Sequence, residues 1–427
     1  MAHALSLVDA TTPSAEHASG AECRFCAAPL QHTFVDLGMS PLCESYLDAG
    51  QLQNMEPFYP LHVWICDRCF LVQLQEYVSG EAIFHEYAYF SSYSDSWLAH
   101  ARRYVARMIS ELRLSRTSRV IEIASNDGYL LQYFVEKKIP VLGIEPAANI
   151  AKAAVARGVP TLVEFFGQGS ARRLAASARA DLVIGNNVLA QVPDVNDFVA
   201  GMKIVLAPRG VITMEFPHLL RLVAENQFDT IYHEHYSYFS FLAVTRILAA
   251  HGLKIYDVEE LDTHGGSLRI FACHEEDPLR PVTPRVDALR LREDRAGVAD
   301  LTYYAEFGER VRESKRKLLE FLIDAKRAGK RIAGYGAPGK GNTLLNYCGI
   351  RSDFVDYTVD RSPYKQGKYL PGTHIPIHAP ERIRETRPDY VLVLPWNLQE
   401  EIVEQLAYIR EWGGQFVIPI PTVQVIP

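Results

Sequence analysis

The densest cluster of reactive side chains in the sequence is Tyr232-His233-Glu234-His235-Tyr236, with two imidazoles, a carboxylate and two phenols in five residues. Histidine is the side chain best suited to taking a proton near neutral pH. Such a base can enolise a substrate that carries a C–H bond beside a ketone. An HxH pair also matches a metal-ligand pattern. No other clear ligand cluster follows it, although His264 is available. An amphipathic element with exposed histidines would read the same way.

A second cluster points to metal chemistry of a different kind. Cys23-x-x-Cys26 and Cys66-x-x-Cys69 are separated by 39 residues. A two-residue spacer lets both thiolates of a pair face one ion, and four thiolates close a tetrahedron around zinc at ~2.3 Å. A closed shell leaves no position for water, so the expected zinc is structural. Neither pair sits at a strand-to-helix turn, as a redox pair would. A nucleic-acid-binding ribbon is the functional rival. Against it, basic residues are sparse here, while Glu22, Asp36, Glu44, Asp48 and Glu56 are acidic.

The third cluster is VIEIASNDGY, Val120 to Tyr129. It resembles the first motif of class I methyltransferases: an apolar strand bearing an acid (Glu122), a small-residue turn, then a helix start. Small residues let backbone approach a ligand closely. Ala124 stands where a glycine is usual, and Gly128 remains. The next strand ends in Gly143-Ile-Glu145-Pro146, with Glu145 placed 17 residues after Gly128. An acid at that strand end accepts hydrogen bonds from ribose hydroxyls. An NAD enzyme places its acid similarly, but a pyrophosphate wants the fuller GxGxxG. Asp127 would repel a phosphate and meet the ammonium of S-adenosylmethionine, which is therefore the expected cofactor. Phe165 and Phe166 either flank adenine or pack in the core. Asn186 and Asn187 end a strand where cofactor and substrate would meet, and Gln191 lies one helical turn on.

A fourth cluster, Gly334-Tyr-Gly336-Ala-Pro-Gly339-Lys340-Gly341-Asn342, follows a strand and opens a helix. Backbone N–H groups, a helix N-terminus and a lysine form a phosphate cradle. Asp360 ends the next strand, as in an NAD domain. Lys340, Lys365 and Lys368 can neutralise a diphosphate. The other reading is a turn that only packs domains together.

Elements that would position these residues alternate between strand and helix. Strands are expected at Arg119 to Ser125, Pro140 to Pro146, Ala180 to Asn187 and Gly210 to Pro217, with closing strands from Lys254 to Ala272 around a THGGS turn. This rhythm implies a parallel, doubly wound sheet. It restarts after Lys330, with a strand expected across Phe354 to Asp360. The fold class is therefore α/β: a class I methyltransferase Rossmann-like core, an N-terminal zinc-binding module and a second, C-terminal Rossmann-like domain. The expected boundaries are a tail over 1–20, the zinc module over 21–84, the methyltransferase domain over 85–275, a helical connector over 276–328 and the C-terminal domain over 329–427.

The bulk properties agree with this outline. The chain has 427 residues, 48% hydrophobic and 22% charged, in the ordinary globular range. Its formal charge of −7 argues against broad nucleic-acid binding. No apolar run approaches the ~20 residues that span a bilayer. The N-terminus lacks the basic start and apolar centre of a signal peptide. A cytoplasmic location is expected, with no membrane partner. Oligomeric state is not legible.

Taken together, the cysteine pairs, VIEIASNDGYL, LGIEP, FDTIYHEHYSYFS, THGGSLR and GYGAPGKGNTLLNY resemble the zinc-containing sugar C-methyltransferases that act on nucleotide-linked 4-keto-6-deoxysugars. The resemblance runs from about Cys23 to the end of the chain. It implies that His235 is the catalytic base, Glu234 its orienting or polar partner, and Tyr232 a hydroxyl near the sugar carbonyl. Tyr89, Asn187, His264, Gly265, Lys340 and Asn342 are expected on the substrate side. Some members carry a second histidine about where Gln191 stands. Glutamine is no base near pH 7, which leaves His235 as the sole histidine candidate.

Overall fold

The computed structural model describes residues 20–84 and 90–427. Tyr89 and nearly all of the N-terminal tail lie outside the described residues.

Three sheets organise the chain. The first begins with β1 (His32–Ser40), β2 (Tyr59–Ile65) and β3 (Val72–Leu74), joined antiparallel. The second holds β4 (Val120–Ile123), β5 (Val141–Ile144), β6 (Thr161–Leu162), β7 (Ala180–Asn186) and β8 (Leu206–Pro217). Next in the chain, β9 (Ser237–Tyr238) leaves this sheet and pairs with β3 as the fourth strand of the first one. β10 (Leu253–Leu261) and β11 (Ser267–His274) then close the second sheet, in the order β10-β11-β8-β7-β4-β5-β6. Only β11 runs against its neighbours. Every residue of β4 is buried, as a central parallel strand covered on both faces requires.

The third sheet is built from β12 (Ile332–Tyr335), β13 (Thr358–Val359), β14 (Ile377–His378), β15 (Tyr390–Val393), β16 (Gln415–Ile418) and β17 (Gln424–Ile426), in the order β14-β13-β12-β15-β16-β17. The strand expected across Phe354 to Asp360 shrinks to two residues. Phe354 and Val355 instead close a turn onto the Arg351 carbonyl, which removes them from the ladder.

In both Rossmann-like sheets the chain reverses direction beside the first strand, between β4 and β7 and between β12 and β15. Ligand crevices open at the carboxyl ends of strands at such switch points. The two crevices here face each other across one cleft.

A long helix, Phe307–Arg327, ties the units together. It buries Phe307, Val311, Leu318, Leu322 and Ala325, an i, i+3/i+4 stripe. Phe307 stacks on Phe34 of β1 at 4.5 Å. One apolar cluster accordingly runs from the first sheet through Phe228 and Ile231 into the third. A second joins the cysteine hairpins to the β7–β8 side of the central sheet.

Candidate active site

The cleft between the crevices has a volume of about 510 Å³. Ala124, Glu145, Phe165, Phe166, Asn187 and Gln191 line its central-sheet side. The turn after β4 places Ala124, Asn126 and Gly128 at φ of 54°, 49° and 76°. Left-handed backbone at alternate residues aims peptide groups at a ligand, and glycine meets that demand without strain. Only the last of the three is glycine; a Cβ there would lie 3.0 Å from Val159.

Glu145 is 5% exposed, and its two oxygens accept from the Asn126 and Ala147 N–H groups at 3.0 Å each. Burial pushes its carboxyl up to about 7, against those two bonds. The remaining lone pairs suit two donors, such as ribose hydroxyls. Asn187, at φ 54°, has a buried side-chain oxygen with no partner, on the wall of the same cleft. An orphaned acceptor beside an oriented carboxylate fits S-adenosylmethionine.

Three expected cofactor residues, Glu122, Asp127 and Gly128, do not line the cleft. Asp127 Oδ2 pairs with Arg157 at 2.6 Å and accepts from the Ser92 hydroxyl, while its buried Oδ1 has no hydrogen-bond partner among the described residues; the side chain does not line the cleft. Glu122 is fully buried inside the sheet and does not line the cleft. Burial holds its carboxyl well above the usual range, against the opposing effect of the Tyr129 phenol. Tyr129 in turn accepts from Asn186 at 3.2 Å, and both of these line the cleft. Gly128 shapes the turn from behind the wall.

On the opposite wall, residues 231–236 form a turn in which the His235 N–H donates to the Tyr232 carbonyl at 2.9 Å. His235 Nδ1 lies 3.1 Å from the Thr230 carbonyl oxygen. A carbonyl only accepts, so Nδ1 carries the proton and Nε2 keeps its lone pair. Burial pulls the imidazole down to about 4, so it is neutral at pH 7. Tyr232 packs against it, with ring centroids 4.1 Å apart, and burial keeps the phenol protonated. Glu234 is not the group that holds Nδ1 of His235. That place belongs to Thr230, while Glu234 accepts from the Cys43 thiol at 3.5 Å. His233 turns away to the Pro60 carbonyl at 3.2 Å.

The cleft holds a second imidazole. His264 sits at φ 55° in the THGGS turn, edge-on to Trp97 at 5.1 Å. Burial pulls it down to about 4 as well. Its Nδ1 has no hydrogen-bond partner, so no tautomer is fixed. Beneath the turn, Thr263, His100 and Arg269 surround Glu215. Burial pushes Glu215 up, but these groups outweigh it and hold it down to about 2. Gly265 does not line the cleft; it lies against Trp396 and Gln227, where a Cβ would come within 2.7 Å of the indole.

The glycine-rich turn after β12 is filled by the chain itself. Ala337 N–H donates to Asp360 at 2.7 Å. A Cβ at Gly339 would lie 2.8 Å from Cys43 Sγ, and one at Gly336 would lie 2.5 Å from Pro395. These glycines therefore permit close docking of the Cys43 loop and of the segment after β15. Lys365 donates to the Ala337 carbonyl at 2.9 Å and faces Glu44 at 3.7 Å. Asn342 donates to the Cys43 carbonyl at 2.6 Å and does not line the cleft. Lys340 does line it.

The four cysteine sulfurs converge within 4.8 Å of one another. Each pair forms the same hairpin. The Cys23 and Cys66 carbonyl oxygens accept from the Ala27 and Phe70 N–H groups at 2.9 and 3.0 Å, with those residues at φ 56° and 60°. Four thiols, two identical knuckles and donors to sulfur from Gln73 (3.1 Å) and Arg68 N–H (3.4 Å) fit a tetrahedral zinc.

Three family models match the chain in succession: "Putative zinc binding domain" over residues 23–84, "Methyltransferase domain" over 97–258 and "C-methyltransferase C-terminal domain" over 262–421. C-methyltransferase NovU of Streptomyces niveus is 36% identical over 414 residues, covering 95% of this chain and 96% of that one. The chain belongs to the C-methyltransferase family. It is an S-adenosylmethionine-dependent methyltransferase with a class I Rossmann-like core and a zinc-binding N-terminal module. Among solved structures, magnesium protoporphyrin IX methyltransferase (ChlM) of Synechocystis PCC 6803 with bound SAH aligns at TM-score 0.34 and 13% identity, covering 42% of this chain and 83% of that one. A methyltransferase of Clostridium acetobutylicum ATCC 824 aligns at TM-score 0.34 and 10% identity, covering 40% and 90%. No helix among the described residues of the C-methyltransferase is long and apolar enough to cross a membrane.

Proposed function

We propose that this C-methyltransferase methylates the carbon beside the ketone, C3, of a nucleotide-linked 4-keto-6-deoxy sugar, with His235 as the base. The observation that carries the reading is the His235–Thr230 contact at 3.1 Å, which leaves the Nε2 lone pair on a cleft shared with the cofactor wall. A carbon acid needs an oriented neutral base, and this imidazole is both. His264 is neutral too, but its Nδ1 has no hydrogen-bond partner among the described residues to fix a tautomer. Bound S-adenosylmethionine supplies an electrophilic methyl group. Glu145 and Asn187 are read as its ribose and polar contacts. His235 takes the proton from the sugar carbon, Tyr232 supplies an uncharged hydroxyl beside it, and Glu234 and Gln191 complete the polar wall. The apolar parts of the wall, Phe165 and Phe166 among them, would exclude water from the enolate.

We read the chain as a zinc module over 21–84, a catalytic domain over 85–275, a connector over 276–328 and a C-terminal domain over 329–427. A reducing cytoplasm would keep four thiols free for the metal. The alternative of an NAD-dependent oxidoreductase needs a pyrophosphate on the turn after β12. Asp360 and the Cys43 loop already take that position. The test is product mass after incubation with a panel of nucleotide-linked 4-ketosugars and labelled S-adenosylmethionine. The reading expects a 3-methylated ketosugar. Labelled methyl on oxygen or nitrogen, or no transfer to any ketosugar, would contradict it.

A further inference from the structure

Lys340 is the one lysine carried into the cleft by the helix Gly339–Cys348, and it lies on the opposite side from the cofactor wall. Its Nζ donates to Asn397 Oδ1 at 2.8 Å and stands 4.6 Å over the Trp396 ring. The Trp396 indole donates to the buried Asp229 at 2.7 Å. Asp229 begins the segment that ends at His235, so the ammonium and the base are held by one connected frame. An ammonium has three donors, and Asn397 takes one. The cleft that Lys340 lines also carries His235, Tyr232 and His264.

We propose that Lys340 is a catalytic residue whose ammonium holds the ketone oxygen of the substrate and stabilises the enolate. This inference rests on the reading given under Proposed function. When His235 Nε2 takes the proton, the C–H electron pair becomes the new C=C bond, and the carbonyl π pair moves onto oxygen. The negative charge then lies on that oxygen, against Nζ. With S-adenosylmethionine bound, the oxygen pair would re-form C=O, the C=C pair would form the bond to the methyl carbon, and the pair of the broken S–CH3 bond would leave on sulfur as S-adenosylhomocysteine. A fixed cation in a site shielded from water is worth most where charge develops during the reaction. A diphosphate is the poorer ligand for Lys340. The second lysine of the cleft, Lys365, is already committed to the Ala337 carbonyl and to Glu44, and the Ala337 N–H of the same turn is taken by Asp360. Burial lowers the lysine's own affinity for its proton and Asp229 restores part of it, while the neutral His235 and His264 add no competing charge.

The test is steady-state kinetics of full-length Lys340→Met and Lys340→Ala on the nucleotide-linked ketosugar. Removing one such donor lowers kcat by roughly 10²–10³-fold. The expected result is that loss, with KM for the ketosugar within about threefold of wild type by the reading that only transition-state charge is affected. Methylammonium added to Lys340→Ala should restore part of kcat. Affinity for S-adenosylmethionine should stay at the wild-type value and serves as the check that the variants are folded. A raised KM with unchanged kcat would overturn the inference and make Lys340 a diphosphate ligand. Wild-type kinetics in both variants would overturn it as well. Wild-type enzyme that transfers no methyl to any ketosugar would instead refute the underlying reading.

Discussion

A neutral imidazole pulled down to about 4 changes what the pH–rate profile should look like. As the proposed base, His235 would work deprotonated, so activity is expected to fall as pH drops through its folded value. An ordinary histidine would lose activity near 6.5. Here kcat is expected to hold its value from pH 8 down to about pH 5, by the depressed value. An ascending limb centred on 6.5 would contradict the tautomer and burial described above. Glu145 has the opposite sign. Burial raises it to about 7, and its charged form is the better acceptor for hydroxyls. Affinity for S-adenosylmethionine should therefore rise between pH 6 and pH 8, and Glu145→Gln should flatten that rise. Glu145→Ala should weaken binding by roughly tenfold or more, since hydrogen bonds to a charged group are worth ~1.5–3 kcal/mol. Equilibrium titration at three pH values checks all of this. Unchanged affinity in the alanine variant would move the ribose site elsewhere.

At the scale of elements, the turn after β4 shows what a residue pattern can and cannot convey. The strand, the acid and the small turn were legible because their order is dictated by a parallel crossover. The three left-handed positions were not, because Ala124 and Asn126 give no glycine signal. Non-glycine residues in that region cost ~1–2 kcal/mol. Ala124→Gly should relieve that strain and, after glycine's unfolded-state entropy of ~0.4–1 kcal/mol, leave stability equal or up to ~1 kcal/mol higher. Gly128→Ala should lower it, since a left-handed φ and Val159 at 3.0 Å oppose a Cβ. Urea unfolding of the two variants measures both signs. The cluster around His235 was legible as chemistry but not as geometry. Its orienting group is the Thr230 carbonyl, and a backbone acceptor five residues away leaves no mark on side-chain spacing. Asp127 and Asn342 make contacts that were hidden for a related reason. Their partners, Arg157 and the Cys43 carbonyl, are brought in by packing distant along the chain. The Cys43 loop itself, with Glu44 at the cleft, had no motif to announce it.

Across the whole molecule, the zinc module is wired to the catalytic segment. β9 follows His235 within two residues and pairs with β3, which itself follows Cys69. On the other flank, the Ile231 carbonyl accepts from Thr343 of the C-terminal domain at 2.9 Å. The segment carrying His235 is therefore held between two units outside the methyltransferase core. Purified protein should carry about one zinc per chain, as a four-thiolate site binds one ion. Cys66→Ser, or stripping by a strong chelator, should lower the melting temperature and kcat together while cofactor affinity changes less. Zinc-free protein with normal melting and normal turnover would refute this coupling. The central claim, a His235-catalysed enolisation in this cleft, has a more direct test. Wild-type enzyme in deuterated water is given the nucleotide-linked 4-ketosugar and S-adenosylhomocysteine in place of the methyl donor, and deuterium at the carbon beside the ketone is followed by NMR. The wild-type protein should wash deuterium into that carbon, and His235→Asn should do so ~10²–10⁴-fold more slowly, the usual loss of a positioned base. Equal washout in both proteins, or none in the wild type, would contradict the account.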